Sequence, residues 1–215
     1  GVGKTTTAIN LASCLAAAER RTLLVDADAQ GNATTGLGLD KRSTFPNIYQ
    51  VLLNEVPIKQ AIRDTQIEYL KLLPATPDLV AAELELADMV SRETLLKQSL
   101  LTISNYYDFI IIDCPPSLGI VTINAMVAAH SLIIPVQCEF FAMEGMADLN
   151  RTITVIKERA NPDLYIKGIL LTMFDTRNRL AHQVSSEIRS HFPQSVFNST
   201  IPRNVRLSEA PSHGR

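Results

Sequence analysis

Six short apolar runs, at 22–26, 69–73, 109–113, 132–136, 166–172 and 196–201, alternate with stretches of helical periodicity, and this alternation leaves few folds open. The runs are almost continuously hydrophobic, so each strand is expected to be buried on both faces, as in a parallel sheet. Helices are expected at 5–18, 79–89, 93–103, 122–129, 143–159 and 181–191, the first with Ile9, Ala12, Leu15 and Ala16 on one face. Residues 31–66 are the least regular part and read as a loop followed by short helices. Strand–helix alternation over the whole length predicts an α/β fold, a mainly parallel sheet with helices on both faces. A chain of 215 residues without repeats or an evident linker suits one domain, spanning 1–215.

The chemistry starts at Gly1-Val2-Gly3-Lys4-Thr5-Thr6, which leads directly into the first helix. Glycines let a backbone approach phosphate oxygens with its N–H groups turned inward, and a helix N-terminus adds a positive dipole end. Lys4 is then placed to neutralise phosphate charge and the Thr5 hydroxyl to hold Mg²⁺. This is the second half of a Walker A motif. About a hundred residues on, Phe109-Ile110-Ile111-Ile112-Asp113 is an apolar strand ending in a carboxylate, the Walker B form. Read alone, Asp113 could equally cap a helix; paired with the phosphate loop it reads as a metal-shell acid.

A third element is Leu24-Val25-Asp26-Ala27-Asp28-Ala29-Gln30-Gly31-Asn32. Side chains two apart on an extended segment point the same way, so Asp26 and Asp28 can both face a bound phosphate. One can order the water shell of the metal while the other positions or deprotonates the attacking water.

Net charge is −2 and excludes nothing by itself, but its distribution is uneven. Residues 1–150 hold 10 Lys/Arg against 17 Asp/Glu, whereas residues 151–215 hold 10 against 5. The basic final third is either a local anion-binding face or a chance segregation of solvated charge. Cys14, Cys114 and Cys138 are too far apart for paired metal ligands and read as buried free thiols. No apolar run approaches the length of a membrane span, so no membrane partner is expected.

Together with Ile111-Ile112-Asp113-Cys114-Pro115-Pro116-Ser117 and Ile201-Pro202-Arg203-Asn204-Val205-Arg206-Leu207-Ser208-Glu209-Ala210-Pro211-Ser212-His213-Gly214, these motifs resemble the ParA/Soj partitioning ATPases along essentially the whole chain. These are deviant Walker A P-loop ATPases of the MinD/ParA superfamily. The resemblance implies an ATP hydrolase using ATP and Mg²⁺, with Gly1, Val2, Gly3, Lys4, Thr5 and Thr6 around the phosphates. It makes Asp28 the hydrolysis-critical acid alongside Lys4, Asp26 its supporting partner, and Asp113 the Walker B acid. Thr5, Asp26 and Asp113 form the implied metal set, and the base is expected near Pro202 and Asn204, with 172–175 nearby. It further implies an ATP-dependent homodimer, non-specific double-stranded DNA contact through Arg177 and Arg206, and a ParB-type DNA-bound partner. The implied location is cytoplasmic and nucleoid-associated. Relatives carry a first strand and a signature lysine ahead of the phosphate loop, so the chain is expected to be truncated at both ends. Two other classes share the loop. A MinD-like membrane-recruited ATPase would need a C-terminal amphipathic helix. A cluster carrier like the nitrogenase iron protein would need cluster-ligand cysteines, which Cys114 and Cys138 do not offer.

Overall fold

A computed structural model describes residues 1–204. It is an α/β fold with mostly parallel ladders, and its described residues divide into two compact units: 5–128, and 1–4 with 129–204.

The larger unit contains α1 (Lys4–Ala17), β1 (Thr22–Asp26), α2 (Asn32–Gly36), α3 (Ile48–Leu52), α4 (Ile58–Ala61), β2 (Arg63–Asp64), β3 (Leu70–Leu73), α5 (Leu79–Glu85), α6 (Leu95–Leu101), β4 (Phe109–Asp113) and α7 (Ile120–Ala128). Its sheet runs β2-β3-β1-β4, with β1 parallel to both β3 and β4 and β2 antiparallel at the edge. Every residue of β1 is buried. Because strand side chains alternate, Leu23 and Val25 enter one core with Ile48, Leu52, Leu96 and Val121, while Leu24 enters the other with Ala8, Ala12 and Ala16. Those alanines repeat every fourth residue along α1, so the helix lies close on the sheet. Bidentate contact of the Arg21 guanidinium with Asp108, plus the Arg21 N–H, ties together the starts of β1 and β4.

The smaller unit contains β5 (Ser131–Gln137), α8 (Ala142–Arg159), β6 (Tyr165–Phe174), α9 (Arg179–His191) and β7 (Val196–Pro202), with a parallel sheet ordered β5-β6-β7. α9 buries Ala181, Val184, Ser185 and Ile188, and the Asn178 side chain caps it by accepting from the Leu180 N–H. The buried Asn161 amide donates to the Ala129 carbonyl.

The expected helices and strands are present with ends shifted by a few residues. The helix expected at 79–89 is shorter, continuing after Glu85 as a 3-10 turn at Leu86–Asp88. Within 31–66 the expected short helices are joined by β2, whose two residues are too few to show a period. Cys138 is buried and Cys114 half-buried, but Cys14 is exposed. Residue 14 lies about 200° round α1 from Ala12, on the face away from the sheet. Among the described residues no helix is long and apolar enough to cross a membrane.

Candidate active site

In open α/β sheets ligands bind beyond the carboxyl ends of the strands. In the larger unit that end gathers acids. Asp26 lies opposite Asp113 in the parallel register, both carboxylates are buried, and the Ala27 N–H donates to the Asp113 carbonyl at 2.8 Å. A hollow of about 370 Å³ lined by Lys59, Arg63, Lys71, Tyr106 and Tyr107 lies near the amino ends of β3 and β4, away from these acids.

Asp26 is held by a bracket that the sequence reading missed. Its Oδ2 accepts from the Thr34 N–H at 2.8 Å and the Thr34 hydroxyl at 2.7 Å, and its Oδ1 from the Asp28 N–H at 3.2 Å. The Thr34 hydroxyl in turn accepts from the Ala75 N–H at 3.0 Å. Burial pushes the Asp26 carboxyl above its ordinary range, against the pull of the bonds from Thr34 and Asp28. Asp28 differs. It is half-buried, its Oδ1 accepts from the Gln30 N–H at 2.9 Å, and its carbonyl accepts from the Gly31 N–H. Gly31 needs φ +59, and a Cβ there would lie 2.9 Å from Lys41 Cδ and 3.2 Å from the Ala75 carbonyl. The acid loop is therefore a tight turn clamped to α2 and the end of β3, with Asp26 buried and Asp28 accessible.

Thr5 and Thr6 stand in the first turn of α1, half-buried, and that turn carries no carboxylate to neutralise its N–H groups. In the smaller unit Gly3 adopts φ +83, although a Cβ there would only touch Thr172 and Met173 at ordinary distance. Conformation, not space, demands the glycine. The buried Thr172 hydroxyl donates to the Val2 carbonyl at 2.8 Å, fastening the phosphate loop to the carboxyl end of β6. Met173 beside it holds φ +49, a left-handed conformation costing an L-residue about 1–2 kcal/mol. Pro202, Arg203 and Asn204 are exposed where β7 ends, with Pro202 opposite Phe174.

Arg177 lies exposed in the turn after β6. Its Nε donates to Asp175 Oδ1 at 3.2 Å and a terminal nitrogen to Oδ2 at 3.3 Å, and these bonds hold the Asp175 carboxyl below its ordinary range. Arg206 is outside the described residues.

These donors fit a nucleotide–magnesium group. Mg²⁺ takes one or two carboxylates together with phosphates and water, not a closed cage of side chains. Among the described residues no three of His, Cys, Asp and Glu gather as such a cage.

The model of a family described as an AAA domain matches residues 1–166. The chromosome partitioning protein ParA of Myxococcus xanthus is 55% identical over 215 residues, covering 100% of this chain and 76% of that one. The chain belongs to the ParA/Soj family. The sporulation initiation inhibitor protein Soj of Bacillus subtilis is 50% identical, covering 100% of this chain and 85% of its own. A solved structure described as cobyrinic acid a,c-diamide synthase of Mycobacterium smegmatis, with bound ATP analogue and magnesium, superposes with TM-score 0.90 at 37% identity, covering 100% and 88% of the two chains. As a ParA/Soj-family protein the chain is a P-loop ATP hydrolase that works with ATP and Mg²⁺.

Proposed function

We propose that this ParA/Soj-family ATPase is a partitioning switch in which ATP binding closes a homodimer that holds DNA without sequence preference, and hydrolysis releases it. The observation that carries the reading is the acid end of the larger unit: two buried carboxylates in register, and a third held in a turn with access to solvent. Gly1, Val2, Gly3 and Thr6 direct backbone N–H groups at the phosphates, and Lys4 balances their charge as it builds up on the leaving side. Thr5, Asp26 and Asp113 are the residues that would hold the magnesium ion, with Asp26 Oδ2 already accepting from Thr34. The chemistry such an ion would supply is positive charge that offsets the charge developing on the phosphate oxygens. Asp28 Oδ2 has no protein donor among the described residues and is the oxygen that orients the attacking water. Pro202 and Asn204 border the base.

Arg177 and Arg206 contact DNA phosphates, and dimerisation doubles the contacts, which makes DNA affinity depend on the nucleotide. A ParB-type DNA-bound protein is the partner that stimulates release, and the working place is the nucleoid in the cytoplasm. The test is retention of the protein on immobilised non-specific DNA with ATP or ADP, together with phosphate release. ATP should retain the parent protein and ADP should not. Asp28→Asn should lower turnover by about 10²-fold or more and prolong retention. Equal retention with both nucleotides defeats the switch.

A further inference from the structure

At the strand ends opposite to the acids, cations collect on a stretch of chain that is otherwise acidic. Residues 1–150 hold 10 Lys/Arg against 17 Asp/Glu, yet three of those cations, Lys59, Arg63 and Lys71, line one hollow of about 370 Å³ with a single carboxylate, Asp64. Three elements of the larger unit supply them: α4 carries Lys59, β2 carries Arg63 and Asp64, and β3 carries Lys71. The antiparallel register sets Asp64 opposite Lys71, and the two pair across the strands. Lys59 Nζ stands 4.4 Å from the centre of the Tyr106 ring and donates to its hydroxyl at 3.1 Å.

Arg63 is the fixed member. It is half-buried, and its two terminal nitrogens donate to the carbonyls of Phe45, Pro46, Gln60 and Ile62 at 2.7–3.1 Å. Carbonyls hold a guanidinium in place without cancelling its charge, and it does not lose its proton. Among the described residues no carboxylate pairs with Arg63 or Lys59, so Asp64 offsets one charge of three and leaves the hollow with a net charge of +2. The Lys71–Asp64 pair is at the surface, where such pairs contribute about 0–1 kcal/mol and give way to a stronger anion. The inner wall is apolar: Ile103 is buried, and Ile62 and Tyr107 are half-buried. Burial pushes the Tyr107 phenol above its ordinary range, so it stays neutral and brings no negative charge. A hollow of this volume suits a small organic molecule. A phosphate monoester carries about −1.5 to −2 at neutral pH, which matches the charge of the hollow and leaves an apolar body to face Ile103 and Tyr107. Concavity favours such a ligand over a duplex, whose phosphates are spread along a rod. We propose that this hollow binds a small phosphate monoester with an apolar or aromatic body, held by Lys59, Arg63 and Lys71 and separate from the ATP site. The hollow is formed by the larger unit alone and stands independently of the DNA-binding reading.

The probe is phenyl phosphate, titrated into the full chain with ADP and Mg²⁺ already filling the ATP site, and followed by amide chemical shifts. Two controls accompany it: phenyl sulfate, of the same shape with less charge, and inorganic phosphate, which lacks the ring. Phenyl phosphate should shift the amides of 59–64, 71 and 103–107 with saturation, and both controls should bind about fivefold more weakly or worse. Lys59→Gln and Lys71→Gln should each weaken phenyl phosphate by about three- to tenfold, and Asp64→Asn should tighten it a few-fold, with melting temperature and ADP affinity unchanged. Shifts that do not saturate, equal affinity for phenyl sulfate or inorganic phosphate, unchanged affinity in both lysine variants, or shifts confined to other residues overturn the proposal. So does duplex DNA that displaces phenyl phosphate from the ADP-loaded chain, since the cations would then belong to a nucleic-acid surface.

Discussion

Thr34 shows how much of an active site can depend on a residue that touches no substrate. Its hydroxyl and N–H both reach Asp26 Oδ2, and the same hydroxyl takes the Ala75 N–H, all in a fully buried setting. Thr34→Val keeps the shape and removes the hydroxyl, leaving Asp26 short of a donor and the Ala75 N–H without an acceptor. Such losses cost about 1–3 kcal/mol, more beside a charge. The expected outcome is a lower melting temperature and a kcat falling well ahead of any change in KM for ATP, with Thr34→Ser recovering both. Calorimetry and steady-state phosphate release check it. If Ser restores stability but not kcat, Thr34 is structural and does not position the acid.

At the scale of elements, the strands were the most legible part of the chain. Burial on both faces was the expected cause of their apolarity, and β1 meets it at every residue, whereas β7, at the edge of its sheet, is mostly exposed and β4 and β5 are only partly buried. Helix positions were legible for a similar reason, though their ends depend on local bonds such as the Asn178 cap, which periodicity does not encode. The glycine and carboxylate motifs marked the strand ends correctly, yet gave no sign that Asp26 and Asp28 differ in burial. That difference comes from Thr34, eight residues downstream, and from Ala75, forty-nine residues away from Asp26. Its only trace in the sequence is a hydroxyl residue just inside the helix after the acid turn. Met173 was equally hidden, because nothing in a strand pattern announces a positive φ. Met173→Gly should relieve that strain and raise stability by about 1 kcal/mol, less the packing lost with the side chain. Chemical denaturation with and without ATP checks it: a gain in the absence of nucleotide accompanied by weaker ATP binding would show that the strain belongs to the site.

For the molecule as a whole, the proposed DNA binding would require an acidic body to hold a polyanion. The proposed answer is local: Arg177 is exposed, and its ion pair with Asp175 lies at the surface, where such pairs contribute about 0–1 kcal/mol and yield readily to phosphate. The salt dependence of DNA binding should therefore lose about two units of slope per dimer in Arg177→Ala, one for each contact. Asp175→Asn should tighten binding a few-fold at low salt, and Arg179→Ala should leave the slope unchanged. An Arg177→Ala slope equal to that of the parent removes Arg177 from the interface.

The short edge strand β2 has a consequence for behaviour at high concentration. It offers an incoming extended chain two residues of ladder, and the Arg63 guanidinium beside it already donates to the carbonyls of Phe45, Pro46, Gln60 and Ile62. A sheet that ends in so short a strand, with a charge anchored at its rim, gives a poor template for fibre growth along that margin. Crowding of many copies would therefore not propagate aggregates from this edge.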